Sequence, residues 1–212
     1  MMTIKVMPFN PFQENTYIVY DETGDCIIFD PGCQMSGEKR LLADFIRKND
    51  LKPVRLINTH CHLDHVFGNA FVKHTFDIPL SIHRGELPVL HAAVAVGAQY
   101  GVPCEPSPEP DSYIEDGDEI LFGNSTLTAI FTPGHSPASL SFFSEKERFV
   151  IAGDVLFRNS IGRTDLPGGD YKTLIDSIMN RLIPLGDDVT VYNGHGPSTS
   201  IGRERVSNPF LT

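Results

Sequence analysis

The sequence predicts a single domain of the α/β or α+β class, in which helices pack on the faces of β-sheets. Three observations support this prediction. Short apolar segments typical of strands occur in groups, helical segments lie between the groups and near the end, and no repeat of solenoid length is present. The chain has 212 residues, 41% hydrophobic and 21% charged, which is typical of a globular protein with a substantial core.

The first thirty residues are interpreted as a meander of three short strands. The segments TIKVM, NTYIVY and CIIFD are apolar or alternating, and turn residues such as Pro11 and Gly24 separate them. A helix is predicted from about Ser36 to Asn49, with Ser36 as its N-cap. Its apolar face is expected to contain Leu41, Leu42, Phe45 and Ile46. The short strand VRLIN follows at 54–58.

The middle of the chain predicts a helix within HRGELPVLHAAVAVGAQYG and then a surface loop, PCEPSPEPD, at 103–111. A domain linker is the alternative interpretation of this loop. Strands are predicted at ILFG, STLTAIF, LSFFS and RFVIAG, and a last strand at DVTVYN. Asp170 is expected to cap a helix between them. The apolar face of that helix is expected to be Leu174, Ile175, Ile178, Met179 and Leu182.

Composition disfavours several classes of partner. The formal net charge is −10 and no long basic run occurs, whereas nucleic acids and anionic membranes usually bind a basic face. No window resembles a membrane span, and the opening MMTIKVMPFNPF lacks the pattern of a secretory signal. The four cysteines form no C-x-x-C pair. We therefore expect a cytoplasmic protein with reduced, mostly structural thiols.

Five of the eight histidines lie in three places where a strand-like segment ends. These places follow VRLIN, STLTAIF and DVTVYN, and Asp154 follows RFVIA in the same way. Side chains at strand ends on one edge of a sheet can converge although they are distant in sequence. The candidate metal ligands are therefore His60, His62, Asp64, His65, His135, Asp154 and His195.

Imidazole and carboxylate donors suit zinc, and also iron or manganese. Seven candidates are too many for one tetrahedral ion, but they suit two divalent ions that share a carboxylate. The alternative is that they are ordinary loop or capping residues, and Asp64 would then cap a helix over 66–71. The other three histidines, His74, His83 and His91, are expected to lie at the surface or in the core.

The motifs THCHLDH, TPGH, AGD and NGHG together resemble the metallo-β-lactamase superfamily. NTYIVY, IIFDPG, SIGRTDLPGGD and PLGDDVTVYNGHGPSTSIGRERVSNPFL resemble more closely its short, single-domain hydrolases similar to glyoxalase II (hydroxyacylglutathione hydrolase). The resemblance covers nearly the whole chain. It implies an α+β fold, a four-layer αββα sandwich formed by one domain over residues 1–212. The C-terminal helical domain that helps full-length glyoxalase II to hold glutathione is expected to be absent.

The resemblance also implies how two divalent metal ions, with zinc favoured over iron or manganese, are held. The first ion is assigned to His60, His62 and His135, and the second to Asp64, His65 and His195, with Asp154 bridging the two. Cys61 falls at a variable position of the motif and receives no ligand role. True β-lactamases of the superfamily commonly carry a cysteine in place of Asp154, so the aspartate favours the hydrolases.

The implied reaction is hydrolysis of a small-molecule thioester such as S-lactoylglutathione by a metal-bridging hydroxide. A thiolate leaving group, with a pKa near ~8.5, needs no separate general acid. Arg163 in the IGRTD stretch is implied as a contact to a substrate carboxylate; alternatively, Arg163 and Asp165 pair to hold the loop. Tyr171 is expected to pack at the helix start. The oligomeric state is left open.

Other functions are compatible with the same residues. Persulfide dioxygenases share T-H-C-H-x-D-H and G-R-T-D motifs, and there one iron would be held by His60, His135 and Asp154. Lactone hydrolysis is possible at the same site. A non-catalytic metal-binding or redox partner protein is disfavoured, because all seven ligand positions are filled. Ala138 in TPGHSPA replaces a glycine frequent in the family, which affects the loop beside His135 but not the ligand itself.

Overall fold

The computed structural model describes all 212 residues, Met1–Thr212. The chain folds into two compact units. The first unit comprises Met1–Ile114 and Leu121–Ser125, and the second comprises Glu115–Ile120 and Thr126–Thr212. None of the helices combines the length and the apolar character that crossing a lipid bilayer requires.

A six-stranded sheet with the order β1-β2-β3-β4-β5-β6 is the framework of the first unit. The first three strands are antiparallel, as the predicted meander requires, and the pairs from β3 to β6 are parallel. Strands β2 and β3 are almost entirely buried, which fits the apolar and β-branched segments YIVY and CIIF, whereas β2 starts with three buried polar residues, Glu14, Asn15 and Thr16. The strands are β1 (Thr3–Phe9), β2 (Glu14–Tyr20), β3 (Asp25–Phe29), β4 (Lys52–Ile57), β5 (Leu80–Ile82) and β6 (Ser112–Tyr113).

The first unit contains four α-helices: α1 (Ser36–Lys48), α2 (Leu63–Val66), α3 (Asn69–Phe76) and α4 (Leu87–Gln99). The prediction of Ser36 as the N-cap of α1 is wrong, because Met35 occupies that position. The Glu38 carboxylate accepts the Met35 amide at 2.9 Å and so satisfies the helix start from within its first turn. Leu41 is also wrongly placed on the buried face, since it is 59% exposed while Leu42 and Ile46 are buried.

Two local alternatives are settled by the path of the chain in the first unit. Asp64 lies inside α2, whose N-cap position is His62, so the interpretation of Asp64 as the cap of a helix over 66–71 is wrong. The segment 103–111 contains no helix or strand and lies within the first unit, so it is a loop and not a linker between units. The Gln34 amide donates to the Pro103 carbonyl oxygen at 2.7 Å and anchors the start of this loop.

A second sheet, with the order β14-β13-β10-β9-β8-β7, lies mostly in the second unit, except that Leu121–Ser125 at the β7–β8 turn belongs to the first. The second unit also contains a separate two-stranded hairpin, β11-β12. Strand β10 is antiparallel to β9 and parallel to β13, and β8 is antiparallel to β9. The strands are β7 (Glu119–Phe122), β8 (Ser125–Phe131), β9 (Leu140–Ser144), β10 (Phe149–Gly153), β11 (Leu156–Phe157), β12 (Ser160–Ile161), β13 (Thr190–Asn193) and β14 (Thr199–Ser200).

Helix α5 (Tyr171–Ser177) continues into a π-helical turn over Ile178–Leu182, and α6 (Ile201–Ser207) lies near the end of the chain. Asp170 is the N-cap of α5, as predicted, and its Oδ1 accepts the Thr173 amide at 2.7 Å. The predicted apolar face is wrong at Met179, which is 41% exposed. A π-helix has more residues per turn than an α-helix. An apolar face predicted with the 3.6-residue period therefore no longer matches the buried side of the helix once the π turn begins.

Each unit has its own apolar core. In the first unit, buried residues of the sheet such as Ile28 and Leu56 pack with helix residues such as Leu42 and Leu90. In the second, Val150 and Val191 of the sheet pack with Leu174, and Ile178 and Leu182 belong to the same cluster. These cores fix the strands, and therefore fix where each strand ends.

Candidate metal centre

The carboxyl ends of β3 and β4 bring Asp30 and Thr59 together in the first unit. The two strands are parallel neighbours, so both ends lie on one edge of the sheet. The Thr59 amide donates to Asp30 Oδ1 at 2.7 Å, and its hydroxyl donates to Asp30 Oδ2 at 2.6 Å. Asp30 Oδ2 also lies 3.1 Å from His65 Nδ1. Asp30 therefore links the strand edge to the histidine loop, a role that was missed in the sequence.

Four predicted ligands lie together in the loop and short helix after β4. The rings of His60 and His62 are perpendicular with centroids 4.8 Å apart, and those of His60 and His65 are 4.1 Å apart. Asp64 Oδ2 lies 3.8 Å from His65 Nε2. His60, Asp64 and His65 are buried, and His62 is half-buried. The first unit thus concentrates three imidazoles and a carboxylate in one region.

Asparagine amides hold the backbone that carries these side chains. Asn58 Nδ2 donates to the His65 carbonyl oxygen, and Asn10 Nδ2 donates to the Asp64 carbonyl oxygen, both at 3.0 Å. Asn10 also donates to the carbonyl oxygen of Gly32, at 3.0 Å, in the turn after β3. These bonds fix the orientation of α2, whose four residues could not form a stable helix alone.

A buried carboxyl group, Glu14, lies behind His65. Glu14 Oε1 is 3.9 Å from His65 Nδ1, and its Oε2 accepts a hydrogen bond from the Thr16 hydroxyl at 3.0 Å. Burial raises the pKa of Glu14 well above its usual value, although the neighbouring His65 opposes this shift. Glu14 was also missed in the sequence, where QENTY reads as the polar start of a strand.

Cys61 lies between two histidines and is fully buried. Burial raises the pKa of its thiol well above the usual value, and the nearby Glu86 and Asp30 add to the shift. Cys61 belongs to none of the groups of His, Cys, Asp or Glu side chains that lie close enough together to hold a metal ion. Its exclusion from the ligand set stays a prediction.

The second unit gathers the other three predicted ligands at the ends of β8, β10 and β13. Strands β10 and β13 are parallel, and β8 runs in the same direction because two antiparallel steps separate it from β10. Asp154 Oδ2 lies 3.5 Å from His135 Nε2 and 3.4 Å from His195 Nε2. One carboxylate oxygen is therefore in reach of two imidazole nitrogens.

The tautomer of His135 follows from its other ring nitrogen. His135 Nδ1 lies 2.8 Å from the carbonyl oxygen of Arg163, which can only accept a hydrogen bond. Nδ1 therefore carries the proton, and in the neutral ring Nε2 keeps its lone pair on the side of Asp154. This arrangement, in which a backbone carbonyl orients a histidine, is typical of metal-ligating imidazoles.

The spacing in the second unit fits metal coordination. Two donors bound to one tetrahedral zinc at about 2.1 Å lie roughly 3.4 Å apart. The two distances from Asp154 Oδ2 to the imidazole nitrogens, 3.5 and 3.4 Å, match this value. The donor set of imidazole and carboxylate is also the one that zinc, iron and manganese accept. The residues present therefore fit divalent ions.

Arg163 and Asp165 form a two-pronged ion pair at the surface. Arg163 Nε and Nη2 donate to the two carboxylate oxygens of Asp165, each at 2.7 Å. These hydrogen bonds lower the pKa of Asp165 to about 2. The structure thus contains the pairing that the sequence offered as one of two roles for Arg163. The packing role expected for Tyr171 is wrong, since its side chain is 53% exposed.

The hairpin β11-β12 separates Asp154 from Arg163 and is held by the C-terminal segment. Glu204 is fully buried and accepts hydrogen bonds from the Asn159 amide, the Thr199 hydroxyl and the Asn208 side chain. The hairpin returns at Gly162, where an added Cβ would lie 1.9 Å from the Asp154 carbonyl oxygen. Only glycine fits this close approach of two backbone segments.

The three remaining histidines are exposed or half-buried. His74 is exposed, and the exposed His91 contacts the Glu109 carboxylate at 2.9 Å. His83 accepts the Gly85 amide through Nδ1. All four cysteines are free thiols, three of them buried.

The match to a family model covers residues 9–195 and identifies the class: the chain belongs to the metallo-beta-lactamase superfamily. It is 38% identical over 206 residues to "Probable metallo-hydrolase YqgX" of Bacillus subtilis, covering 97% of this chain and 95% of that protein. It is 37% identical over 212 residues to "Hydroxyacylglutathione hydrolase GloC" of Haemophilus influenzae, covering 99% and 98%. The predicted resemblance is confirmed.

Solved structures agree with this membership. BLEG-1, described as a B3 metallo-beta-lactamase, gives a TM-score of 0.91 at 37% identity and covers 99% of this chain and 100% of that one. TTHA1623, solved in a di-iron-bound form, gives 0.88 at 36% identity, with 98% and 100% covered. The predicted fold class, the α+β metallo-β-lactamase fold, is confirmed. Membership implies a metallo-hydrolase that uses divalent metal ions.

Proposed function

We propose that this metallo-hydrolase cleaves thioesters of small molecules, with S-lactoylglutathione as the first candidate substrate. The observation that carries the proposal is Asp154, whose one oxygen lies in reach of both His135 and His195. With seven candidate donors, too many for one tetrahedral ion, Asp154 is the carboxylate that two ions would share. The relative from Haemophilus influenzae that is named a hydroxyacylglutathione hydrolase supports the thioester class.

We assign the ligands as two sets that share one carboxylate. His60, His62 and His135 would hold one ion, and Asp64, His65 and His195 would hold the other, with Asp154 bridging. The single-domain organisation of residues 1–212 belongs to the same proposal. The clustering of three imidazoles and Asp64 in the first unit supports the ligand assignment. The spacing around Asp154 in the second unit supports it as well.

The bound ions would supply a water molecule of lowered pKa and would polarise the scissile carbonyl. The carboxylates of Asp64 and Asp154 cancel two of the four formal positive charges, so the site stays positive. A positive site favours a transition state in which the carbonyl oxygen gains negative charge. The Arg163 carbonyl oxygen holds the Nδ1 proton of His135, so this imidazole keeps its lone pair for binding.

A thioester is favoured over an amide or a phosphate ester because of the leaving group. A thiolate, with a pKa near ~8.5, departs without strong protonation. Arg163 is exposed and could contact a substrate carboxylate, but it would first have to give up one or both of its 2.7 Å bonds to Asp165. Substrate binding through Arg163 is therefore a competition between two carboxylates.

One alternative metal and one alternative substrate class are supported by specific observations. TTHA1623 binds two iron ions, so iron is an alternative to zinc for this donor set. BLEG-1 is described as a β-lactamase, which makes cyclic amides a second substrate class to test. Persulfide oxidation with one iron, and lactone hydrolysis, remain the alternatives from the motif itself.

One combined experiment tests the function. The protein is purified without added metal, its metals are quantified, and it is assayed in parallel on S-lactoylglutathione, glutathione persulfide, a lactone and a β-lactam. We expect about two divalent ions per chain and thioester cleavage. His74→Ala is the matched control, because this histidine is exposed and outside both ligand sets. One iron per chain with oxygen consumption on the persulfide would overturn the proposal.

A further inference from the structure

Glu86 contacts the metal-binding loop although it lies 25 residues further along the chain. It is fully buried at the end of a 3-10 turn over Arg84–Glu86, directly before α4. Its Oε2 accepts the backbone amide of Cys61 at 2.9 Å. The Cys61 amide belongs to the peptide bond that joins His60 to Cys61, immediately before His62. Glu86 therefore acts on the backbone that separates two proposed ligands.

The orientation of this peptide matters for both histidines. The perpendicular rings of His60 and His62, 4.8 Å apart, are carried on a backbone with no helix or strand. A loop peptide whose amide had no buried acceptor would rotate to find one, because an unsatisfied buried N–H group costs about 1–3 kcal/mol. A rotation there would move both rings relative to each other. Glu86 Oε2 supplies the acceptor that prevents it.

We propose that Glu86 is a positioning residue, which clamps the Cys61 amide and so sets the geometry in which His60 and His62 bind metal. The metal-related part rests on the proposed function, whereas the clamp itself is a property of the metal-free chain. The acceptor oxygen is what the clamp requires. Glu86→Gln keeps an oxygen in place of Oε2 or Oε1 and should keep the clamp, whereas Glu86→Leu fills similar space without an acceptor.

Asp21 offers a matched control in the same unit. It is also a buried carboxylate, which accepts the amides of Thr23 and Asn124. Asp21 directly follows β2 at the end away from the metal loop, whereas Glu14, at the other end of β2, lies beside His65. At about 3.3 Å per residue, the strand separates the two ends by roughly 20 Å. Asp21→Asn therefore reports the loss of a buried carboxylate without a change in the metal loop.

The clamp is tested first on metal-free protein, by hydrogen exchange of the Cys61 amide measured by NMR. Rates are normalised to buried amides of β3, which correct for global stability. We expect exchange of the Cys61 amide to be at least about tenfold faster in Glu86→Leu. In Glu86→Gln and Asp21→Asn it should stay near the wild-type rate. An unchanged rate in Glu86→Leu would show that no clamp exists, whatever the protein hydrolyses.

The second test is metal affinity, measured by chelator competition, and the absorption spectrum of the cobalt-loaded protein. We expect Glu86→Leu to bind zinc about tenfold to a hundredfold more weakly and to shift the cobalt bands. Rescue of both by Glu86→Gln would show that the acceptor oxygen is responsible. Unchanged affinity in Glu86→Leu, or equal losses in both Glu86 variants, would overturn the positioning role. If the wild-type protein cleaves no thioester but the Glu86 variants change amide exchange and zinc affinity as expected, the proposed function is wrong and the positioning role stands.

Discussion

Asp154→Ala is the substitution that separates a bridging aspartate from an ordinary ligand. Asp154 Oδ2 lies 3.5 Å from His135 Nε2 and 3.4 Å from His195 Nε2. In the proposed site these imidazoles serve different ions, so Asp154→Ala removes one protein donor from each. His135→Ala removes a donor from one ion only. The two variants should therefore differ by a factor of two in the binding free energy that they lose.

The expected magnitude follows from this count of donors. Loss of a residue that hydrogen-bonds to a metal ligand weakens metal binding by up to about a hundredfold. We take the loss of a direct donor to cost at least this much, which is about 2.8 kcal/mol per ion. At saturating zinc the same amount is lost from the stability that the metal confers. A chain of this size shifts its Tm by about 2–4 °C per kcal/mol. Asp154→Ala should thus lose roughly 11–22 °C of the zinc-induced rise in Tm, and His135→Ala about half of that.

The assay is calorimetry of each variant, stripped of metal and then loaded with zinc, together with metal analysis after dialysis. His74→Ala provides the reference for an exposed histidine outside the site. The metal-free Tm values show whether a variant is destabilised for reasons unrelated to binding. The bridging role would be refuted if Asp154→Ala kept both ions and full activity, or if it lost no more than His135→Ala.

Three further substitutions test how the chain holds itself together. Burial alone would raise the pKa of Asp21, but hydrogen bonds, led by those from Thr23, lower it to about 2. Because this folded-state pKa lies below the unfolded value, Asp21→Asn should cost at most about 2 kcal/mol near neutral pH, and this difference should vanish as pH falls from about 4 to 2; urea unfolding across that range measures it. Glu204→Ala should cost about 3 kcal/mol in the same assay, because two buried donors, from Thr199 and Asn208, and the partly buried Asn159 amide lose their acceptor; a cost below about 1 kcal/mol would show that water replaces the carboxylate. Gly162→Ala should lower the Tm by at least about 6 °C in calorimetry, since its Cβ meets the Asp154 carbonyl oxygen, and an unchanged Tm would contradict the close approach.

The strands and the ligand candidates were predictable because their signals are local. A strand is visible in the sequence as a run of β-branched or aromatic residues, and its end can be located to within one or two residues. The sequence therefore shows that Asp154 and His195 follow strands. The predicted strands at RFVIAG and DVTVYN correspond to β10 (Phe149–Gly153) and β13 (Thr190–Asn193). Parallel pairing of these strands then places both side chains at one sheet edge.

The errors occurred where a second local signal competed with the first. At the start of α1, a serine has a higher N-cap preference than a methionine, but Glu38 satisfies the preceding amides and moves the cap to Met35. In the same helix, Leu41 follows the apolar pattern but lies about 100° from Leu42 around the axis. Apolar character alone therefore could not decide which of the two leucines was buried.

The supports of the site were missed because each acts over a long separation in sequence. Asp30 reaches Thr59, Glu86 reaches Cys61, and Asn10 reaches the carbonyl oxygen of Asp64. In the sequence, these residues read as the end of a strand, part of a helical segment and a loop. One signal was available for Asp30, which is the last residue of the predicted strand CIIFD and precedes Pro-Gly, much as the metal-ligand candidates lie where strands end. For Glu86 no such signal exists.

This division between ligands and supports determines how substitutions should fail. His135 and Asp154 follow strands that the core of the second unit fixes, so their loss removes donors and leaves that core intact. Asn10 holds the short helix α2 and Glu86 holds loop backbone, so their loss frees these segments and also leaves a buried group unsatisfied. Ligand variants should therefore lose metal while the metal-free Tm changes little. Support variants should lower the metal-free Tm and the metal affinity together, and calorimetry of the stripped protein distinguishes the two groups.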